Sequence, residues 1–170
     1  MPLTFEERIS EDLDALFAGA AFLSGGQEAG TKSLLVEAVS CASSEYHEDV
    51  DAGAFTQWME GILVRAFLAP SSAGAVPAKR AADSSKQSRV RPEDFRSIAW
   101  ANIVRAAAGL PAQSRAALWL VLLRRWSYQD AASAMDIDLD SLRGLLTYRA
   151  AFFEGVVTGT ADSGVRETGS

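Results

Sequence analysis

Apolar side chains recur at helical spacing along most of this chain, and the runs are punctuated where helices begin and end. Thr4-Phe5-Glu6-Glu7 has the form of a capping box, in which the threonine hydroxyl accepts from the first turn and the glutamate reaches back. Ile9, Leu13, Leu16 and Phe17 then share one face, and Leu23-Ser24-Gly25-Gly26 closes that helix. A second helix is expected from Lys32 to Val39, with Leu34, Leu35, Ala38 and Val39 apolar. Residues 54–68 predict a third, with Phe55, Trp58, Ile62 and Arg65 at turn spacing.

The pattern resumes at Leu110-Pro111, where proline ends the preceding helix. From Ser114 the apolar positions are Ala117, Leu118, Val121 and Leu122. Ser127 stands where an N-cap belongs, ahead of Tyr128, Ala131, Ala132 and Met135. Alanines at 131 and 132 let a neighbouring helix come close. Asp136 to Asp140 supplies a turn, and Asp140 or Ser141 is expected to cap a last helix carrying Leu142, Leu145, Leu146, Arg149 and Phe153. Two short helices across a tight turn are a helix-turn-helix, a motif that places its second helix in a DNA major groove.

Between these regions, residues 69–92 are rich in Ala, Ser and Pro and show no sustained apolar period. That composition reads as a flexible linker. The expected fold is therefore all-α, with a helical domain over 1–68, a linker over 69–92, a helix-turn-helix domain over 93–154 and a disordered tail over 155–170. Each domain is about 60–70 residues, a size at which a core of its own is marginal. The four tryptophans, Trp58, Trp100, Trp119 and Trp126, are expected in the cores or between the domains.

Several function classes lose support. The most apolar stretch, Ala116 to Leu123, is cut off by Arg124 and Arg125, so no membrane span is expected. The first helix is acidic, the opposite of a signal peptide's start, and the single cysteine fits a reducing cytoplasm. Cys41 and His47 do not make a closed metal site, and Cys41 reads as a small half-buried side chain. With one histidine, one cysteine and no phosphate-cradling loop or nucleophile elbow, no enzyme and no cofactor are expected.

Leu110-Pro111, Arg115, Leu118 and Leu120, followed by Ser127-Tyr128 and Ser141-Leu142-Arg143, resemble the promoter-reading C-terminal domain of extracytoplasmic-function sigma factors. Leu23-Ser24-Gly25, Val36-Glu37 and Phe55-x-x-Trp58 are similar to landmarks of that family's N-terminal domain, in the same order. The resemblance implies a sigma2-like and a sigma4-like domain and a regulator of bacterial transcription initiation. Its implied partners are core RNA polymerase and promoter DNA at the −35 element. Ser141, Arg143, Thr147 and Arg149 would contact DNA, and Leu35, Glu37, Trp58, Leu145 and Tyr148 would contact polymerase or an anti-sigma factor.

Charge modifies that expectation. DNA-binding proteins draw much of their affinity from basic side chains that neutralise phosphates. Residues 1–68 hold Arg8, Lys32 and Arg65 against twelve acidic side chains, a net charge of −9. In the family a basic helix closes this domain, whereas here Arg65 runs into Ala66-Phe67-Leu68-Ala69-Pro70. The family's acidic patch before its Gln-Glu pair is replaced by Thr31-Lys32-Ser33. Basic positions of its recognition helix are held by Leu145, Tyr148 and Ala150. An alternative therefore stands beside promoter reading: a DNA-inactive sigma mimic that binds an anti-sigma factor or another regulatory protein. The sigma-like domain of general-stress response regulators has some likeness to Leu23 to Leu35, although no receiver domain accompanies it here.

Overall fold

A computed structural model of the chain describes residues 4–47, 52–69 and 100–163, and all regular structure among them is helical. The expected linker, save Ala69, lies outside the described residues, as do 93–99 and 164–170. Helix α1 spans Phe5–Ser24 and begins with the expected capping box, Thr4 accepting from the Glu7 amide while the Glu7 carboxylate takes the Thr4 amide at 2.8 Å. It stops at Gly25, whose φ of 69° is the left-handed conformation that glycine adopts without a Cβ clash. The Gly26 amide then donates back to the Ala21 carbonyl.

Helix α2, Glu28–Glu45, starts a full turn before the expected Lys32; in its first turn the Thr31 hydroxyl donates to the Gln27 carbonyl and meets Ser24 Oγ at 2.7 Å. Helix α3 covers Ala52–Leu68. Helix α4, Trp100–Ala108, ends ahead of Leu110-Pro111, and Pro111 opens α5, Ala112–Leu118. The chain then widens into a π-helical turn, Trp119–Leu123. Helices α6, Tyr128–Ala134, and α7, Leu139–Leu146, form the helix-turn-helix, and α8 runs Arg149–Ser163.

Three local expectations need correction. The cap of α7 is Asp138, not Asp140 or Ser141, because the preceding turn ends early enough for its carboxylate to reach the Ser141 amide. Arg149 and Phe153 do not continue α7: a turn at Thr147 and Tyr148 separates it from α8. Helix also runs on from residue 155 to Ser163, where composition reads as tail, with Val156 fully buried on that stretch.

One continuous core joins the helices before and after the undescribed segment. Leu16, Phe22, Leu23, Met59, Ile62 and Leu63 from the first set pack with Leu118, Leu120, Leu142 and Val156 from the second. Each such side chain stabilises the fold by about 1.5–3 kcal/mol when fully buried. Phe22 lies at the centre, with its ring 5.5 Å from Trp119 and 5.9 Å from Phe152. Trp119 is buried as expected, but Trp100 is 41% exposed and touches Phe22 with one side of its ring. Sharing a core relieves the marginal size that each half would have alone.

Candidate functional site

The helix-turn-helix is built from short-range bonds. Ser127 Oγ accepts from the Asp130 amide and starts α6. At its other end the Ile137 amide donates to Ala132 and the Asp136 amide to Ser133, the paired bonds of a Schellman ending. Asp136 takes the left-handed position at φ 54°, where a short polar side chain replaces the usual glycine. Ala131 and Ala132 are buried beneath, and Leu142 and Leu146 of α7 fill the space they leave. The outer side of α7 therefore carries Leu139, Asp140, Ser141, Arg143 and Gly144, with Thr147 and Tyr148 after it.

That outer side has little free positive charge. Both Ser141 groups are taken by Asp138: the amide donates at 2.7 Å and the hydroxyl at 2.9 Å. These bonds hold the Asp138 carboxyl below its usual range. A helix N-terminus favours an anion, and here the chain supplies that anion itself. Arg143 pairs with Asp140 at 3.0 Å, both side chains being well exposed. Thr147 donates its hydroxyl to the Gly144 carbonyl at 2.7 Å, while Arg149 is exposed at the start of α8. Leu145 is half-buried against the core and Tyr148 is 38% exposed.

The residues expected to meet polymerase or an anti-sigma factor sit differently. Leu35 and Glu37 are half-buried on α2, and Trp58 is packed between Tyr46 and Phe55 at ring distances of 6.2 and 5.7 Å. Exposed apolar surface in this half falls instead on Leu13 and Phe17 of α1, 48% and 51% accessible, and on Val36 of α2. Leu13 and Phe17 are four residues apart, so they lie side by side on the helix, with Glu6, Asp14 and Ser10 around them. The helical period marks both as core positions; no sequence signal separates the buried from the exposed side of α1.

A second polar constellation has no signal in the sequence pattern. Glu60 of α3 is 3% exposed, and its carboxylate faces Arg124 just beyond the π turn. The Arg124 Nε–H pairs with Glu60 Oε1, and the Trp126 indole N–H donates to Glu60 Oε2 at 3.1 Å. Arg125, between them, is left-handed at φ 59°, which turns Trp126 back towards α3. Burial pushes the Glu60 carboxyl above its usual range, against the opposing pull of Arg124 and Trp126. The three side chains form one wall of an open cleft of about 390 Å³, completed by Thr56, Gln57, Arg125, Ser127 and Asp130.

A second arginine crosses the same two helical sets. Arg115 of α5 donates from Nη1 to the Leu23 carbonyl at the end of α1, at 2.6 Å, and lies over the Phe67 ring at 5.4 Å. A cation at a helix C-terminus is favoured by the aligned peptide dipoles, and burial lowers the arginine's pKa. Among the described residues no three His, Cys, Asp or Glu side chains cluster to hold a metal ion. Cys41 is exposed, not half-buried, because it lies on α2 away from the core-facing Ala38 and Ala42. No helix among the described residues is long and apolar enough to cross a membrane. Comparison with models of known protein families and with curated proteins finds no match.

Proposed function

We propose that the chain is a sigma-factor-like regulator of bacterial transcription initiation, which docks on core RNA polymerase and turns α7 towards the −35 promoter element. The observation that carries this reading is the α6–α7 helix-turn-helix, with its alanine-lined crossing and its polar outer face. On this reading Arg149 and Thr147 contact DNA directly, and Arg143 and Ser141 do so after exchanging Asp140 and Asp138 for phosphate or base edges. The Leu13–Phe17 pair joins Leu35, Glu37 and Trp58 as the polymerase-facing surface.

A second reading has its own observation. Asp138 and Asp140 occupy Ser141 and Arg143, and the α7 face includes Leu139 and Tyr148. Such a face suits a protein partner better than a phosphate backbone, so the chain acts as a sigma mimic that engages an anti-sigma factor. One experiment separates the two. The full chain is titrated with a −35-containing duplex across a salt series, alone and with core polymerase. Promoter reading requires an affinity that falls as salt rises. No DNA binding at low salt, or none that depends on salt, removes promoter reading, and capture of core polymerase but not of a small helical anti-sigma protein removes the mimic.

A further inference from the structure

Among the described residues the two helical sets meet through one shared core and through the Glu60 and Arg115 bridges, of which the Glu60 bridge carries a carboxyl group. With the sets packed together Glu60 is 3% exposed, while Arg124 stays 35% exposed. A carboxylate moved from water into such a setting loses hydration that one half-exposed arginine only partly replaces. Asp12 of α1, which accepts the Thr56 hydroxyl at 2.7 Å, adds a like charge on the other flank. Arg125 and Asp130 line the cleft beside it with opposite charges. Glu45 of α2 pairs with Arg65 at 3.0 Å, and Arg115 of α5 is directed to Leu23 and Phe67.

We propose that Glu60, Arg124 and Trp126 form a proton-sensitive latch that sets how firmly the C-terminal helices close on the N-terminal ones. The latch rests on the geometry of the junction and does not depend on a role in transcription. Its sign comes from proton uptake. Closed protein holds the Glu60 proton more tightly than open protein, in which the carboxyl is hydrated and ordinary. Closure is therefore strongest below the ordinary glutamate range and weakens as pH rises through the raised value of the closed form. Arg124 opposes this, since its charge favours the ionised carboxylate.

The single cysteine gives a direct measurement. Cys41 on α2 and a Ser133→Cys on α6 are both at exposed positions, one on each side of the junction. Labelled as a donor–acceptor pair in the full chain, they report closed and open populations by single-molecule energy transfer. From about pH 8 down to about pH 4, below the ordinary glutamate value, the closed population is expected to rise, by up to about tenfold in the closure equilibrium for each unit separating the closed and open Glu60 values. Glu60→Gln keeps the shape and one of the two accepting oxygens, sets its NH2 against the other donor and removes the charge, and is expected to abolish that dependence. Arg124→Gln, which removes the cation, is expected to move the midpoint to higher pH. The latch is overturned by a wild-type population that does not respond to pH, by a Glu60→Gln variant with the wild-type response, or by an Arg124→Gln midpoint that stays in place. Should Glu60→Gln lose its helical circular dichroism, the Arg124→Gln midpoint decides alone.

Discussion

The indole of Trp119 occupies the space that any side chain on Gly19 would need: a Cβ there would sit 2.8 Å from Trp119 Cζ2 and 3.0 Å from Leu63 Cδ2. The contact seats the π turn on the C-terminal third of α1 and thereby fixes the distance between the two helical sets. Gly19→Ala is expected to lower stability by about 1–3 kcal/mol through overpacking. Urea denaturation of the variant against wild type measures it, and an unchanged midpoint would show that Trp119 moves freely.

Arg115 ties α5 to the end of α1. Arg115→Met keeps much of the apolar stem and removes the bond to Leu23, so a loss of about 1–3 kcal/mol is expected from a charged hydrogen bond of this kind. Arg115→Lys should recover only part of it, because an ammonium has no planar face to lay on Phe67. Denaturation of the three proteins side by side ranks them. Equal stability of the Met and Lys variants would reassign Arg115 to packing alone.

How far the sequence reveals this architecture depends on the range of each interaction. The Thr4–Glu7 box and the Ser127 cap are legible because both partners lie within one turn. The α7 cap is not, since Asp138, Asp140 and Ser141 are three good capping residues in four positions. What selects Asp138 is the left-handed Asp136, which ends the turn two residues earlier. The Trp119–Leu123 run is apolar at every position, so it carries no period by which a wider helical turn differs from an ordinary one. Glu60 is one acid among twelve in its region, and its partners lie more than sixty positions away. Spacing identifies the helix-turn-helix, but the state of its polar side chains depends on which acids fall beside them.

The carboxylates respond to pH in opposite directions. Asp138 and Glu7 are held below their usual range by hydrogen bonds from Ser141 and Thr4, so their stabilisation is complete above the ordinary carboxylate values and is lost as pH falls through the lowered ones. The protection of the Ser141 amide against hydrogen exchange, corrected for the intrinsic pH dependence of the rate, is expected to fall on acidification for that reason. Asp138→Asn preserves the cap and should remove the acid sensitivity. Persistence of the wild-type profile in that variant would assign the effect to another group.

Asp140 holds the one arginine on α7, so its removal tests what that arginine does when released. If the helix reads DNA, Asp140→Ser is expected to raise affinity for the full chain and to steepen the logarithmic salt dependence by about 0.9, the increment for one further phosphate contact. Fluorescence anisotropy across a salt series measures both. No change in either leaves α7 to a protein partner.

Buried Glu60 makes the cost of losing its partner asymmetric. Arg124→Ala strands a carboxylate in the interior and is expected to destabilise by about 1–3 kcal/mol, less than for a fully enclosed pair because Arg124 is 35% exposed. Glu60→Gln keeps one accepting oxygen and sets its NH2 against the other donor, so it is expected to cost less than Arg124→Ala at neutral pH, and thermal melts of both at one pH show whether the order holds.

The π turn at Trp119–Leu123 has one further consequence. Relative to an ordinary helix it holds roughly one surplus residue, and each helical residue rotates the chain beyond it by about 100°. That surplus acts as a phase setting. Deleting one residue from the run would swing Arg124 and Trp126 about a quarter turn from Glu60 and carry α6 and α7 round with them, while every other contact inside those helices stayed intact. The direction in which this protein presents its helix-turn-helix is thus written as a count of residues, not as the identity of any one of them.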